Sequence, residues 1–407
     1  MRRVVVTGIG AVSPLGATWP QVEARMRALR NAVQVMGEWA QYEGLNTQLG
    51  VPVADFEVPA HWTRKQTRSM GRVSKLAVCS TERAIEDAGL TGDEVLQAGR
   101  TGVAFGSSAG SPDAITEFGD MRMNLSTAGL NATSYVRMMG HTTAVNIGVF
   151  FGLTGRVIPT SSACTSGSQG IGYAYDTIRA GYQDVMLAGG AEELCATEAA
   201  VFDTLYATST MNDTPGLTPR PFDAARDGLV IGEGSCTLVL EEREHALARG
   251  AKIVCEIVGF ATNSDGIHVT RPNRTTMQRC ISMALEDAGA ESGQIGYVSA
   301  HGTATPWGDI AESHATHAVL GNVPVSAMKS YVGHTLGACG ALEAWWAIEM
   351  MRSGWYAPTI NLENIDTECA DLDYIVGAGR DMNNEFVMSN NFAFGGINTS
   401  LIFKCAD

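Results

Sequence analysis

The stretch VIPTSSACTSGSQGIGYAYDTIRAG, residues 157–181, decides the fold of this chain. An apolar run is followed by a cluster of Ser, Ala, Thr and Gly, and then by apolar residues at helical spacing, Ile171, Tyr175 and Ile178. This pattern predicts a strand, a tight turn and a helix, with Cys164 at the turn. A helix N-terminus favours the thiolate form of a cysteine, so Cys164 is a candidate nucleophile. The alternative interpretation is a buried structural cysteine.

The order of strands and helices recurs in the second half of the chain. A helix that ends at Gly89 is followed by a strand from Thr101, and a helix that ends at Gly289 is followed by a strand from Tyr297. The segment VPVSAMKSYVGHTLGACGALEAWWAIEMM, which starts at Val323, corresponds to the opening strand, turn and helix. We interpret this as an internal duplication. Alternating strands and helices predict mostly parallel sheets covered by helices.

The duplication suggests how the chain is divided. One unit comprises residues 1–250 and carries the candidate nucleophile, and the other comprises residues 251–407. The first unit is longer because of insertions near residues 111–156 and 194–231. Insertions of that length in compact α/β domains are typical of caps and binding surfaces. We therefore expect a site between the two halves, with a cap built by the first.

Composition narrows the classes of function. Of the 407 residues, 45% are hydrophobic and 17% are charged, as in an ordinary globular protein, and no run reaches the roughly 18 apolar residues of a membrane span. The net charge of −15 disfavours nucleic acid and anionic membranes as partners. Nine cysteines without paired spacing indicate a reducing, cytoplasmic compartment. Gly8 and Gly10 suggest a dinucleotide-binding loop, but Ser13 replaces the third glycine of that motif.

Two histidines lie where the duplication predicts chemistry. His301 follows a predicted strand in SAHGTATPWGD, and ligands bind at strand ends of this kind in open α/β sheets. His334, in KSYVGHTLGA, lies at the turn that corresponds to the Cys164 turn. We therefore expect Cys164, His301 and His334 to converge between the halves. A histidine satisfied within the core is the alternative interpretation of His301 alone.

Basic residues are concentrated at one place in this acidic chain. Arg64, Lys65, Arg68 and Arg72 occur within a short segment. Their spacing predicts a single helical face that carries Arg64, Arg68 and Arg72. Such a face is either simply solvated or a dock for an acidic partner.

The chain resembles the elongating β-ketoacyl-[acyl carrier protein] synthases of the thiolase superfamily along nearly its whole length. The motifs that carry the resemblance occur in order and are VVVTGIGAVSPLG, SSACTSGSQGIGYAYDTI, AGGAEELC, PFDAARDGLVIGEG, HALARGAKI, AHGTATPWGD, KSYVGHTLGACGALEA and SNNFAFGGINTSL. The AGGAEELC and NDTP segments look closer to the type I enzymes than to type II. The resemblance implies a duplicated five-layer α-β-α-β-α fold, a homodimer and decarboxylative condensation of an acyl chain with malonyl-[acyl carrier protein] in fatty acid elongation.

The resemblance also implies a role for each site residue. Cys164 would take the acyl chain, His301 and His334 would face the malonyl thioester, and Lys329 would set their electrostatics. Asp309 and Glu312 would support the site, and Phe392 would contribute a backbone N–H and act as a gate. Thr303 and Thr305 would bind phosphopantetheine, and Ser108 and Phe202 would line the acyl pocket. Arg64, Lys65 and Arg68 would dock the carrier.

No bound cofactor is expected, because the substrates of this family travel on the phosphopantetheine of acyl carrier protein. No metal is required, although family members hold a structural monovalent cation near the positions of Glu343, Ser389 and Asn390. Three alternatives are open. They are a non-catalytic chain-length partner subunit, an initiator that decarboxylates malonyl thioesters, and a Cys-His-Asn hydrolase, which is disfavoured because no Asn or Asp adjoins either histidine in sequence.

Overall fold

The computed structural model of the protein describes residues 1–406. Within them, the strands are β1 Val4–Val12, β2 Gln34–Val35, β3 Leu49–Val51, β4 Thr101–Gly106, β5 Val157–Pro159, β6 Val185–Glu192, β7 Ile231–Gly232, β8 Gly234–Glu242, β9 Cys255–Ser264, β10 Ile295–Ser299, β11 Pro324–Ser326, β12 Trp355–Tyr356, β13 Asp373–Tyr374, β14 Arg380–Asp381, β15 Phe386–Ala393 and β16 Ile397–Cys405. The α-helices are α1 Trp19–Arg27, α2 Arg64–Thr67, α3 Arg72–Asp87, α4 Pro112–Asn124, α5 Ala132–Met138, α6 Thr142–Phe151, α7 Ser166–Arg179, α8 Ala196–Asp203, α9 Arg243–Ala248, α10 Arg274–Ala288, α11 Pro306–Leu320, α12 Lys329–Val332 and α13 Cys339–Ser353. Among these helices, none is both long and apolar enough to cross a membrane.

Both halves of the chain contribute to one sheet of eleven strands, in the order β13-β11-β10-β15-β16-β9-β1-β8-β6-β4-β5. The halves join where β1 and β9 pair antiparallel. Outward from this junction, the first half runs β1, β8, β6, β4, β5 and the second half runs β9, β16, β15, β10, β11. In each half, the third, fourth and fifth strands are parallel, while the first two pairings are antiparallel. The predicted duplication is therefore visible in the topology, but the sheets are more mixed than predicted, since hairpins such as β15–β16 require antiparallel pairing.

The helices complete five layers, as the family resemblance implies. Helices α7 and α13 pack on each other and contact strands of both halves, so they form the middle layer. Helix α3, with α6 against it, covers the first half of the sheet, and α10 with α11 covers the second. Almost every residue of α13 is buried, as expected for a helix that packs between the two halves of the sheet. The turns that precede α7 and α13 therefore meet inside the molecule.

The basic cluster does not lie on one helical face, and this part of the sequence prediction is wrong. Helix α2 ends before Arg68 and α3 begins only at Arg72, because Gly71 takes an extended conformation (ψ −177°) between them. Arg72 donates to the Glu233 carboxylate at 2.6 Å and is therefore engaged in an ion pair. Arg64 and Arg68, together with the neighbouring lysine, remain exposed.

Candidate active site

Cys164 lies in a short 3-10 helix, Ala163–Thr165, between β5 and α7. The preceding residue, Ala163, has a left-handed backbone with φ 52°, and Leu336 has φ 44° at the corresponding turn before α13. Residues other than glycine adopt this conformation at a cost of about 1 kcal/mol or more, and such strain is concentrated at functional sites. The turn presents the Cys164 thiol inside the molecule, where the residue is only 3% exposed.

His334 contacts the candidate nucleophile Cys164 directly. Its Nε2 lies 3.0 Å from the Cys164 sulfur. Its Nδ1 accepts a hydrogen bond from the Leu336 backbone N–H at 3.2 Å. A neutral imidazole carries one proton, and an accepting Nδ1 places that proton on Nε2. His334 therefore presents an N–H donor beside the thiol.

His301 has the same tautomer for a different reason. Its Nδ1 lies 3.1 Å from Lys329 Nζ and 3.4 Å from the Asn391 side-chain amide, and both of these groups donate. The His301 proton is therefore on Nε2. The rings of His301 and His334 lie 5.2 Å apart and nearly perpendicular. One ring nitrogen of each imidazole and the sulfur of Cys164 all lie within 4.8 Å of one another.

Burial and one cation keep both imidazoles neutral. Burial lowers the pKa of His301 and of His334 well below 6.5, and the charge of Lys329 lowers both further. Burial also opposes the charge of Lys329, but its neighbours Cys339 and Glu343 offset this, and the pKa of Lys329 is raised overall. Lys329 Nζ donates to Glu343 Oε1 at 2.5 Å, so the ammonium has a carboxylate partner.

At Cys164, burial favours the thiol over the thiolate that a helix N-terminus favours. Burial raises the pKa of this thiol to about 11, although Lys329 and the backbone N–H groups of Phe394 and Cys164 act in the opposite direction. The helix N-terminus is thus outweighed by desolvation, which penalises the charged form.

We predict a pH profile for alkylation of Cys164 by iodoacetamide. Because the thiolate reacts and the pKa is about 11, the rate should rise about tenfold per pH unit from about pH 7 to about pH 9. No inflection should occur near 6.5, because neither histidine titrates there. Peptide mass spectrometry gives the rate for each cysteine, with exposed Cys405 as reference. A plateau below about pH 9 would contradict a protonated resting thiol.

Two buried acids shape the loop that carries His301. The Glu312 carboxylate accepts the backbone N–H groups of His301 and Gly302 at 2.7 and 2.8 Å. The Asp309 carboxylate accepts the N–H of Ala304 at 3.2 Å and that of Phe222 at 2.8 Å. Burial raises the pKa of Asp309 to about 6 and that of Glu312 to about 8. Both predicted supporting acids therefore bind backbone N–H groups, and Asp309 does not line the cavity of the thiol and the imidazoles.

The thiol and both imidazoles line one cavity of about 240 Å³. Thr303 and Thr305 line it as well, and their hydroxyl oxygens lie 2.8 Å apart. Other predicted site residues on its wall are Phe202, Phe392 and Glu312. The remaining wall residues, which sequence reasoning missed, include Arg271, Trp307 and Phe394.

The N–H group at the thiol belongs to Phe394 and not to Phe392. The backbone of Phe394 hydrogen-bonds to the Cys164 sulfur, whereas Phe392 lies within β15, opposite Asn398 of β16. The NFAFGG motif contains both phenylalanines, and only the second lies in the turn after the strand. The Phe394 ring also packs on Phe202, with centroids 5.0 Å apart. Phe392 instead packs edge-on against His301 at 6.2 Å.

Asn391 is a further residue that the sequence analysis missed. Its side-chain amide nitrogen lies 2.7 Å from Glu343 Oε2 and 3.4 Å from His301 Nδ1. Asn391 is thus a second donor to the Glu343 carboxylate, which also accepts from Lys329. Asn391 precedes Phe392 in the same motif, but sequence alone does not show which of its side chains point inward.

Ser108 lies away from this cavity wall. Its backbone N–H donates to the Glu192 carboxylate at 2.8 Å.

Among the described residues, Arg64, Lys65 and Arg68 take part in no ion pair, and all three are exposed.

Unpartnered side-chain oxygens lie near the position expected for a structural monovalent cation. Among residues 1–406, buried side-chain oxygens of Ser299, Ser389, Ser400 and Asn390 have no hydrogen-bond partner. Oxygen donors of this kind are the ligands that such cations prefer. The Glu343 carboxylate is engaged by Lys329 and Asn391.

The fold and the site define a class of protein, a thiolase-like enzyme fold with a cysteine at the turn before its central helix. Two family models match the chain. The N-terminal domain of β-ketoacyl synthases matches residues 1–246, and their C-terminal domain matches residues 254–363. The chain therefore belongs to the β-ketoacyl synthase family.

Named relatives agree with this assignment. The chain is 37% identical to 3-oxoacyl-[acyl-carrier-protein] synthase 1 of Haemophilus influenzae, over 99% of both chains. It is 38% identical to 3-oxoacyl-[acyl-carrier-protein] synthase 2 of Synechocystis, over 99% of this chain and 98% of the relative. A solved β-ketoacyl synthase from Burkholderia phymatum is 60% identical, with a TM-score of 0.99 and full coverage of both chains. The two numbered types match almost equally, so the closer likeness to type I stays a prediction.

Proposed function

We propose that this protein is a 3-oxoacyl-[acyl carrier protein] synthase. It condenses an acyl chain held on Cys164 with malonyl-[acyl carrier protein] and releases carbon dioxide. The observation that carries the proposal is the pair of neutral imidazoles, each with its proton on Nε2, next to a buried thiol in one cavity. The names of the relatives support the same reaction.

In the first half-reaction, the Cys164 sulfur attacks the carbonyl of the incoming acyl thioester. A carbon–sulfur bond to Cys164 forms, the bond to the phosphopantetheine sulfur breaks, and the thiol proton passes to the departing sulfur. Negative charge develops on the carbonyl oxygen, and the N–H groups of Cys164 and Phe394, both at the sulfur, are suited to bind it. One such donor contributes about 3 to 4 kcal/mol in comparable sites.

In the second half-reaction, malonyl thioester loses carbon dioxide and leaves an enolate. The electron pair of the broken carbon–carbon bond moves onto the thioester oxygen, which the Nε2–H groups of His301 and His334 can bind. The enolate carbon then attacks the acyl-Cys164 carbonyl, a carbon–carbon bond forms, and the Cys164 thiolate leaves and takes a proton from solvent to return to the thiol. Both imidazoles remain neutral throughout, because Lys329 and burial disfavour their protonation.

The same arrangement disfavours the hydrolase alternative. A hydrolase needs a base that takes a proton from water, whereas His334 Nδ1 is occupied by the Leu336 N–H and its Nε2 carries the proton. A thiol at the site likewise supports a catalytic subunit over a non-catalytic partner.

We propose that acyl carrier protein docks on the patch formed by Arg64, Lys65 and Arg68. The three side chains are exposed in a protein of net charge −15, so a patch of this sign would attract an acidic partner. The phosphopantetheine arm would then reach Thr303 and Thr305, which line the cavity.

Charge reversal of this patch tests the docking proposal. In Arg64→Glu/Arg68→Glu, KM for carrier-borne substrate should rise about tenfold at low salt, with kcat little changed, because rim charges govern association. Activity with the same acyl group on pantetheine alone should be unaffected. Arg30→Glu/Lys252→Glu is the control, since both of these residues are exposed and lie elsewhere. Equal effects of the two double variants would show non-specific electrostatics only.

Three further features belong to the proposal. The protein acts without a bound cofactor, with a monovalent cation near Ser389 and Asn390 as a structural element at most. It works in the cytoplasm, which suits nine cysteines that are all free thiols. It forms a homodimer through the edge strand β5 and the apolar side chains around it, since exposed edge strands and apolar patches favour association.

The experiment that tests the function uses purified protein, acyl-[acyl carrier protein] and malonyl-[acyl carrier protein]. Mass spectrometry should detect a 3-oxoacyl product two carbons longer than the primer, with one carbon dioxide released for each product. Release without condensation would favour the initiator alternative. Neither product, with a folded protein, would favour the non-catalytic subunit.

A further inference from the structure

Two buried carboxyl groups meet near the nucleophile. Glu192 ends β6 and Glu198 lies in the first turn of α8, and they are 0% and 8% exposed. The carboxyl of Glu198 is within hydrogen-bonding reach of that of Glu192. Two carboxyl groups this close share a proton, because two adjacent buried charges repel each other strongly.

The pair is unusual because most of its oxygens lack a donor. Among residues 1–406, Glu192 Oε1 and both oxygens of Glu198 accept from no N–H or hydroxyl group. The adjacent Glu193 is also buried, but it accepts from the Val73 N–H at 2.6 Å and from the Ser111 hydroxyl at 3.1 Å. The proton that the pair shares can engage two of these oxygens, so at least one buried oxygen still lacks a donor, whereas buried acceptors normally have partners.

The carboxyl pair adjoins the predicted acyl pocket. Glu192 Oε2 accepts the N–H of Ser108, a predicted pocket residue, and the N–H of Gly337, which follows the His334 turn. In α8, Glu198 is followed by Ala199 and Phe202, which belong to the same apolar cluster as Cys164. Phe202 lines the cavity that contains Cys164 and lies one helical turn beyond Glu198, so an acyl chain that extends past Phe202 would bring its far end toward Glu198.

We propose that Glu192 and Glu198 make this pocket selective for acyl chains that carry a hydroxyl group near their far end. A hydroxyl would donate to one of the unpaired carboxyl oxygens. A saturated chain of the same length would leave those oxygens buried and unpaired, and sites built to bind a hydroxyl discriminate strongly against analogues that lack it. The inference rests on the proposed function, since it concerns the chain that Cys164 receives.

The test compares matched acyl groups on acyl carrier protein. Butanoyl, hexanoyl, octanoyl and decanoyl thioesters are paired with their ω-hydroxy counterparts, and the rate of Cys164 acylation is measured by intact mass spectrometry. For the length that reaches the pair, the hydroxylated chain should react at least about 10-fold faster in the wild-type protein. In Glu198→Met, which keeps an unbranched side chain but removes the acceptors, the preference should be lost or reversed.

Controls separate selectivity from folding. Thr197→Met places the same side chain at an exposed position of α8 and should keep the wild-type preference. Glu198→Gln retains an acceptor oxygen and should keep part of the preference for the hydroxylated chain. This variant serves as the test if the methionine variant does not fold. Equal rates for both members of every pair, or a preference that survives in Glu198→Met, would overturn the inference. Failure of the wild-type protein to take any acyl group would instead overturn the proposed function.

Discussion

Replacement of Cys164 by alanine should abolish the acyl-enzyme and lower condensation by about 10⁴-fold or more, because no other group at the site can hold the acyl chain covalently. Intact mass spectrometry after mixing with acyl-[acyl carrier protein] should show an adduct on the wild-type protein and none on Cys164→Ala. The fold should be retained, since the substitution removes one small atom from a well-packed turn.

The chain offers a matched control for this experiment. Cys339 is also buried, and its thiol donates to the backbone carbonyl of Cys164 at 3.2 Å. Cys339→Ala should therefore keep acylation within a few-fold of the wild-type rate, because its sulfur bonds to backbone and not to substrate. An adduct that persists in Cys164→Ala and disappears in Cys339→Ala would show that the nucleophile is Cys339 and not Cys164.

Replacement of Lys329 by methionine should reduce both stability and condensation. The ammonium is 1% exposed and is the cationic partner of the Glu343 carboxylate, so its removal leaves a buried charge uncompensated. Loss of one partner of a buried pair costs about 3 to 5 kcal/mol in the free energy of unfolding. Condensation should fall about 100-fold or more, because His301 also loses the donor that fixes its tautomer.

A second variant separates the two effects of Lys329. Lys329→Met/Glu343→Gln removes both charges and should recover much of the stability, as measured by denaturant unfolding, but not the activity. The pH profile should change as well. Burial and the charge of Lys329 lower the pKa of His301, so removal of that charge raises this pKa, and activity should then decline with falling pH as His301 becomes protonated. Full activity in the double variant, with an unchanged pH profile, would show that Lys329 is only structural.

Much of the fold follows from sequence patterns alone. The repeated helix endings at Gly89 and Gly289 and the repeated turn at Cys164 and His334 predict a duplicated, layered α/β fold, which the topology confirms. Patterns of this kind are local, because the periodicity of apolar residues and the position of glycine depend on a few neighbouring residues. Segments such as residues 64–72 are less predictable, since helical spacing does not show that Gly71 interrupts the helix.

The sequence by itself determined the fold and placed the candidate nucleophile with its two histidines and Lys329, because those features are encoded in contiguous motifs. The tertiary structure decided the tautomers, the protonation and the hydrogen-bond partners of these residues. Leu336 and Lys329 set the two imidazole tautomers, burial outweighs the helix N-terminus at Cys164, and Phe394 supplies the N–H that was assigned to Phe392. It also brings Glu198 to Glu192, from two different elements. The physical reason is that desolvation and hydrogen bonds between separate elements depend on how the whole chain packs.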